Sequence, residues 1–130
     1  MPHARILIVE DEPDLIDLIT CVLARDHHDI AGAGTGWEAL AEIGRQRPDL
    51  ILLDLMLPDL DGFGLCEILR RDPATARIPI IIVSAWASPD SQQLGNELGA
   101  VDYLTKPFSP HELRKRVNHC LDLSANRTAN

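Results

Sequence analysis

Basic residues are the scarce class in this chain: 12 lysines and arginines face 20 aspartates and glutamates, for a formal net charge of −8. Neutralising nucleic-acid phosphates needs a basic patch, so direct nucleic-acid binding by this domain is not expected. Cysteine is equally sparse. Cys21, Cys66 and Cys120 are odd in number, lack metal-ligand spacing, and fall among apolar residues of predicted helices, which makes buried reduced thiols the expectation. Long hydrophobic runs are missing, and Met1-Pro2-His3-Ala4 leads straight into a strand pattern. No membrane span, signal peptide or lipidation site is expected, and the cytoplasm is the expected compartment.

What remains is an ordinary globular composition, 45% apolar and 25% charged over 130 residues, which suits one domain. Strand-like and helix-like patterns alternate five times. The predicted strands are Arg5 to Val9, Ile30 to Ala33, Leu50 to Leu53, Ile78 to Val83 and Val101 to Leu104. Between them, Pro13 to Arg25 carries Leu15, Ile16, Ile19, Val22 and Leu23 on one helical face. Trp37, Leu40, Ile43 and Gly44 mark a second helix ended by Pro48, and Leu65, Ile68 and Leu69 mark a third opened by Asp61-Gly62. The fourth, about Asp90 to Leu98, contains Gly95 and offers only Leu94 and Leu98 as anchors, so its packing is expected to be marginal. The last runs from Pro110 to Leu123 with Leu113, Val117, Cys120 and Leu121 inward. Such a (βα)5 alternation predicts an α/β, doubly wound domain: a five-stranded parallel sheet, helices on both faces, flavodoxin-like order 2-1-3-4-5. Residues 1–123 form that domain, and 124–130 read as a polar tail or the start of a linker.

The charged groups follow the strands. Glu10, Asp11 and Glu12 follow the first, Asp54 the third, and Lys106 the fifth. Open parallel sheets place ligand sites at these strand ends, and strands 1 and 3 are neighbours in the predicted order. Clustered carboxylates repel one another unless something cationic joins them. An oxygen-rich set without histidine or cysteine suits Mg2+, or Mn2+ in its place, rather than zinc. A carboxylate beside such a metal can attack a phosphoryl group while metal and lysine neutralise the shifting charge. Ser84, at the end of the fourth strand, could bond the remaining oxygen.

Four stretches then carry a resemblance over nearly the whole chain: Ile6-Leu7-Ile8-Val9-Glu10-Asp11-Glu12, the segment Asp54-Leu55-Met56-Leu57-Pro58-Asp59-Leu60-Asp61-Gly62, Ser84-Ala85, and Asp102-Tyr103-Leu104-Thr105-Lys106-Pro107-Phe108. In order and on the right strand ends, they resemble the receiver domain of two-component response regulators. The resemblance implies that Asp54 is the phospho-acceptor, that Asp11 binds Mg2+ directly, that Glu10 assists through water, and that Met56 lends its backbone carbonyl. Ser84 would be the switch hydroxyl, Lys106 the phosphate-binding lysine and Tyr103 the mobile aromatic, with a cis peptide before Pro107. Implied partners are a histidine kinase or a histidine phosphotransfer protein. Asp102, Glu112 and Arg116 are similar to a face through which such regulators dimerise on phosphorylation, with pairs such as Asp102 and Arg116 crossing the interface.

Other residues draw plainer readings. Glu12 belongs to the acidic first turn of helix 1, outside the site. Asp59 and Asp61 read as turn and helix-cap residues. His27-His28 lie in a polar connection at the far end of the sheet, and His111 and His119 on the outside of the last helix. Trp86, beside Ser84-Ala85, is a candidate gate over Asp54 or part of a partner surface. Two rival functions are a phosphorylation-independent interaction module and a metal-dependent phosphohydrolase. The intact Asp11, Asp54, Ser84 and Lys106 set speaks against the first. Met56 speaks against the second, because it stands where such enzymes usually carry a second aspartate.

Overall fold

The computed structural model describes residues 3–86 and 88–129, with side-chain surroundings through residue 124. Its elements alternate as β1 (Arg5–Val9), α1 (Pro13–Ala24), β2 (Asp29–Ala33), α2 (Gly36–Arg45), β3 (Leu50–Leu53), α3 (Gly62–Arg71), β4 (Ile80–Ser84), α4 (Pro89–Glu97), β5 (Asp102–Thr105) and α5 (Pro110–Ala129). All neighbouring strands pair parallel in the order β2-β1-β3-β4-β5, as the alternation predicts. Side chains alternate across a strand, so each central strand feeds two cores. Ile6, Ile8, Leu50, Leu52, Ile81 and Val83 meet α1 and α5 on one face. Leu7, Val9, Ile51, Leu53, Ile80 and Ile82 meet α2 and α3 on the other. The α5 residues Leu113, Val117, Cys120 and Leu121 are buried, as expected.

The structure corrects several expectations. Cys21 is exposed, so only Cys66 and Cys120 are buried thiols, and burial pushes the Cys66 thiol up to about 11. Trp37 begins α2 but is 61% exposed, and Ile68 of α3 also faces solvent. His28 is buried: its Nδ1 accepts the Ala4 N–H. β4 begins at Ile80 rather than Ile78, because Pro79 has no N–H to give a ladder. α5 is continuous through Ala129, so no helix break marks the position after Leu123.

α4 differs most from its pattern. Its buried residues are Ser91 and Gly95, while Leu94 and Leu98 are only half-buried. Small residues let this helix sit close to β4 and β5: a Cβ on Gly95 would lie 3.0 Å from Ile82 Cδ1 and 3.3 Å from the Tyr103 ring. Beyond its far end, the Arg70 guanidinium holds three carbonyls, Ala76 at 2.7 Å, Ile78 at 3.0 Å and Gly99 at 3.0 Å. Gly99 has φ +83°, the left-handed conformation that glycine adopts without strain.

The α1–β2 connection is tied to α5 by Asp26, which accepts from Arg114 Nη2 at 2.8 Å and Nε at 3.1 Å and from Asn118 at 3.2 Å. The Arg114 hydrogen bonds hold the Asp26 carboxyl down at about 2, against an ordinary 3.8. Because the arginine end is more than a third exposed, Asp26→Ala is expected to cost on the order of 1 kcal/mol at neutral pH. A depressed folded value means the contribution is complete above 3.8 and disappears as pH falls towards 2. Urea unfolding should therefore show a gap between wild type and variant that is constant from about pH 7 to 5 and narrows below about 4. A gap of unchanged width at low pH would contradict the assignment.

Candidate functional site

Strand ends build the site. Glu10 leaves β1 and donates its N–H to the Ala33 carbonyl, while Asp54 leaves β3 and donates to the Val9 carbonyl, both at 3.0 Å. Lys106 leaves β5 and donates its N–H to the Ser84 carbonyl at 2.8 Å; the Lys106–Pro107 peptide is cis, as expected. These backbone bonds aim three side chains at one point. The Lys106 Nζ lies 2.9 Å from Asp54 Oδ2 and 3.1 Å from both carboxylate oxygens of Glu10. Both carboxylates are buried, at 3% and 6% exposure.

Burial and proximity make the two acids unequal. Desolvation first, then the neighbouring Asp54, pushes the Glu10 carboxyl up to about 8, against the pull of Lys106. Burial would raise Asp54 too, but the hydrogen bond shared with Glu10, the Met56 N–H at 3.0 Å and Lys106 outweigh it and hold Asp54 below the usual range. Burial likewise works against the Lys106 ammonium, and its bonds to Asp54 and Glu10 more than compensate. Of the two acids, Glu10 therefore holds a proton the more readily, and Asp54 is favoured as the anion beside the Lys106 ammonium.

Asp11 and Glu12 are exposed, and their carboxylates lie with that of Glu10 within 4.8 Å of one another. Glu12 stands at the N-terminus of α1, as its reading as a helix-start acid expects, with its carboxylate close to those of Glu10 and Asp11. It is the N-cap residue of α1, yet its side chain makes no cap hydrogen bond. All donors here are oxygens, and neither Asp11 nor Glu12 makes a side-chain hydrogen bond among the described residues. Oxygen-only, and open to water at Asp11 and Glu12, the group fits a hard divalent cation such as Mg2+.

Around this centre, Ser84 ends β4 fully buried and its Oγ accepts the Trp86 N–H at 3.2 Å. The carbonyl of the same Trp86 accepts the Tyr103 hydroxyl, which also reaches Ser91 Oγ at 3.4 Å. Tyr103 is therefore turned in against α4. The Trp86 ring meets Phe63 edge-to-face, with centroids 5.9 Å apart, and remains 41% exposed. Met56 is exposed, and its N–H donates to Asp54 Oδ1. Arg116 bonds Asp102 at 2.6 Å and Glu112 at 2.7 Å within the single chain. Asp61 caps its own helix through the Gly64 N–H at 2.8 Å. Asp59 does something the sequence pattern did not signal: it accepts the N–H groups of Gly36 and Trp37, capping α2 from another loop.

Residues 6–118 match the sequence profile of the response regulator receiver domain. The chain belongs to this family. Among curated relatives of this receiver domain, the DNA-binding response regulator MtrA of Mycolicibacterium smegmatis is 44% identical over 113 residues, 87% of this chain and 48% of the relative. The DNA-binding dual master transcriptional regulator RpaA of Synechocystis is 43% identical over 117 residues, 90% of this chain and 48% of the relative. The receiver domain thus spans about half the length of these relatives. Among solved structures, the signal receiver domain of a putative LuxO repressor protein from Vibrio parahaemolyticus superposes with a TM-score of 0.92 at 30% identity, covering 98% of this chain and 97% of that one. Among the described residues of this receiver domain, no helix is long and apolar enough to cross a membrane.

Proposed function

We propose that this receiver domain is a phosphorylation switch in which Asp54 accepts a phosphoryl group from the phosphohistidine of a histidine kinase or a phosphotransfer protein. The observation that carries this reading is the buried Asp54 carboxyl group held 2.9 Å from Lys106 Nζ at the sheet edge. In the transfer an Asp54 oxygen bonds to phosphorus, the phosphorus–nitrogen bond breaks, and the imidazole leaves. A bound Mg2+, held by Asp11, Asp54, the Met56 carbonyl and, through water, Glu10, would neutralise charge on the phosphoryl oxygens. Lys106 neutralises the same charge from the other side. The Ser84 hydroxyl accepts from the Trp86 N–H, so its own proton is free for a phosphoryl oxygen.

The same bonds offer a route outward. The Trp86 peptide receives Tyr103 at its carbonyl and gives its N–H to Ser84, so a Ser84 that turns towards a phosphoryl group pulls on the partner of Tyr103. The α4–β5–α5 face, which includes Asp102, Glu112 and Arg116, is the surface this would change, and a phosphorylation-dependent homodimer through it is one outcome. The relatives are named as DNA-binding regulators; in this reading the domain itself supplies the switch and does not touch nucleic acid.

Incubation with phosphoramidate and Mg2+ is expected to add one phosphoryl mass to the peptide containing Asp54, and Asp54→Asn to abolish it. A wild-type chain that gains no mass, or an Asp54→Asn chain that still gains it, would overturn the proposal.

A further inference from the structure

The connection between β3 and α3, residues 54–61, carries the acceptor at one end and a helix cap at the other. Its ends are held locally: the Met56 N–H donates to Asp54 Oδ1 at 3.0 Å, and the Gly62 N–H to the Leu55 carbonyl at 3.1 Å. Beyond Met56, which is itself exposed, the middle is exposed at Pro58 and Asp59. The polar tether of that middle runs to a different helix. Asp59 Oδ1 accepts the Gly36 N–H at 2.9 Å, and Oδ2 accepts the Trp37 N–H at 3.1 Å.

α2 does not depend on Asp59 for its own cap, because Thr35 Oγ1 already accepts the Glu38 N–H at 3.1 Å. Asp59 takes two further first-turn donors, at the positive end of the helix dipole. The seam is close as well as bonded: a Cβ on Gly36 would stand 2.8 Å from Leu60 Cβ and 2.9 Å from the Leu60 carbonyl oxygen. A well-packed helix thus serves as a fixed post for the loop that contains Met56.

We infer that Asp59 is a positioning residue for the acceptor site: by fastening the loop to the α2 N-terminus, it places the Met56 carbonyl and so sets the affinity of the site for a divalent cation. This deepens the proposed function and rests on it. Residues behind the direct ligands of a metal commonly change its affinity by an order of magnitude or more. Linkage makes the effect reciprocal, so an ion bound at the acceptor should protect the Gly36 and Trp37 amides.

Mn2+ binding, followed by loss of the free-ion paramagnetic resonance signal, tests the inference on the whole chain. Asp59→Ala is expected to bind Mn2+ roughly tenfold more weakly. Asp59→Asn should recover part of that loss, since its amide oxygen can still accept one of the two N–H groups. Gly36→Ala keeps Asp59 but forces Leu60 away, and it too should weaken binding. Asp26→Ala, destabilised far from the seam, should bind as wild type does. In wild type, Mn2+ or Mg2+ should slow hydrogen exchange at Gly36 and Trp37. An Asp59→Ala chain that unfolds more easily yet keeps wild-type Mn2+ affinity would reduce Asp59 to a helix cap and overturn the inference. If that variant does not fold, wild-type affinity in both Asp59→Asn and Gly36→Ala overturns it. A wild-type chain that binds no Mn2+ overturns the metal reading itself before any variant is compared.

Discussion

Lys106→Met is expected to destabilise the metal-free domain by about 3 kcal/mol at pH 9 and by about 1.5 kcal/mol at pH 6, because removing one partner of a buried ion pair leaves the other charge uncompensated and the second acid adds its own charge only above pH 8. At pH 6 Glu10, whose carboxyl titrates near 8 in the intact site, is protonated and can share its proton with Asp54. The bonds of Lys106 to Asp54 and Glu10 are then lost, but only one of the two acids carries a charge. Above pH 8 the intact site holds two buried carboxylates against one ammonium; the variant must either bury both charges unpaired or keep a proton that the solvent no longer supplies cheaply. The sign follows from Glu10. Its folded value is raised above 4.5, so the stability it contributes is complete below 4.5 and lost as pH rises through about 8. Without Lys106 that loss extends to higher pH. Urea titrations in a chelator between pH 6 and 9 measure the difference, and a gap that does not widen with pH would refute the pairing.

Gly62→Ala should injure both the fold and the site. The new Cβ would lie 2.7 Å from Leu55 Cα, 2.9 Å from the Asp54 carbonyl oxygen and 3.0 Å from Leu55 Cδ2. Two of these three atoms are backbone and cannot rotate away. We expect a cost of about 3 kcal/mol, at the upper end for overpacking. The movement that relieves the clash displaces Asp54 and Leu55, so phosphorylation by phosphoramidate at saturating Mg2+ should slow on the order of a hundredfold. Gly44→Ala, in the last turn of α2 with nothing within 4 Å of the added carbon, is the matching control and should be neutral or slightly stabilising. A Gly62→Ala domain that melts with wild type would show that the β3–α3 loop relaxes freely.

The sheet was legible because parallel strands buried on both faces are written as uninterrupted apolar runs, such as Leu50-Ile51-Leu52-Leu53. Asp54 and Glu10 were legible because each stands directly after such a run, and Lys106 because it follows the fifth strand of the alternation, where chain direction alone brings the three together. Contacts made across the fold were not. Asp59 caps a helix that precedes it by more than 20 positions, and nothing local distinguishes it from Asp61, which caps its own. The inward face of α4 is hidden from an apolar pattern because it is made of small residues: Ser91 and Gly95 are buried, and Gly95 stands too close to Ile82 and Tyr103 for a larger side chain. Cys21 lies between buried residues in sequence, but the 3.6-residue period turns it outward from Val22.

The Arg70 clasp gives α4 a mechanical asymmetry. One end of the helix runs into Gly99, whose carbonyl is fastened to α3 through a guanidinium that also grips Ala76 and Ile78. The other end rests on hydroxyl contacts, Ser91 with the carbonyls of Ser88 and Trp86 and with Tyr103. Hydroxyl contacts exchange partners readily; a guanidinium spread over three carbonyls does not. The two ends of α4 are therefore held unequally, by charge-assisted bonds beyond its C-terminal end and by neutral hydroxyl contacts at its first turn.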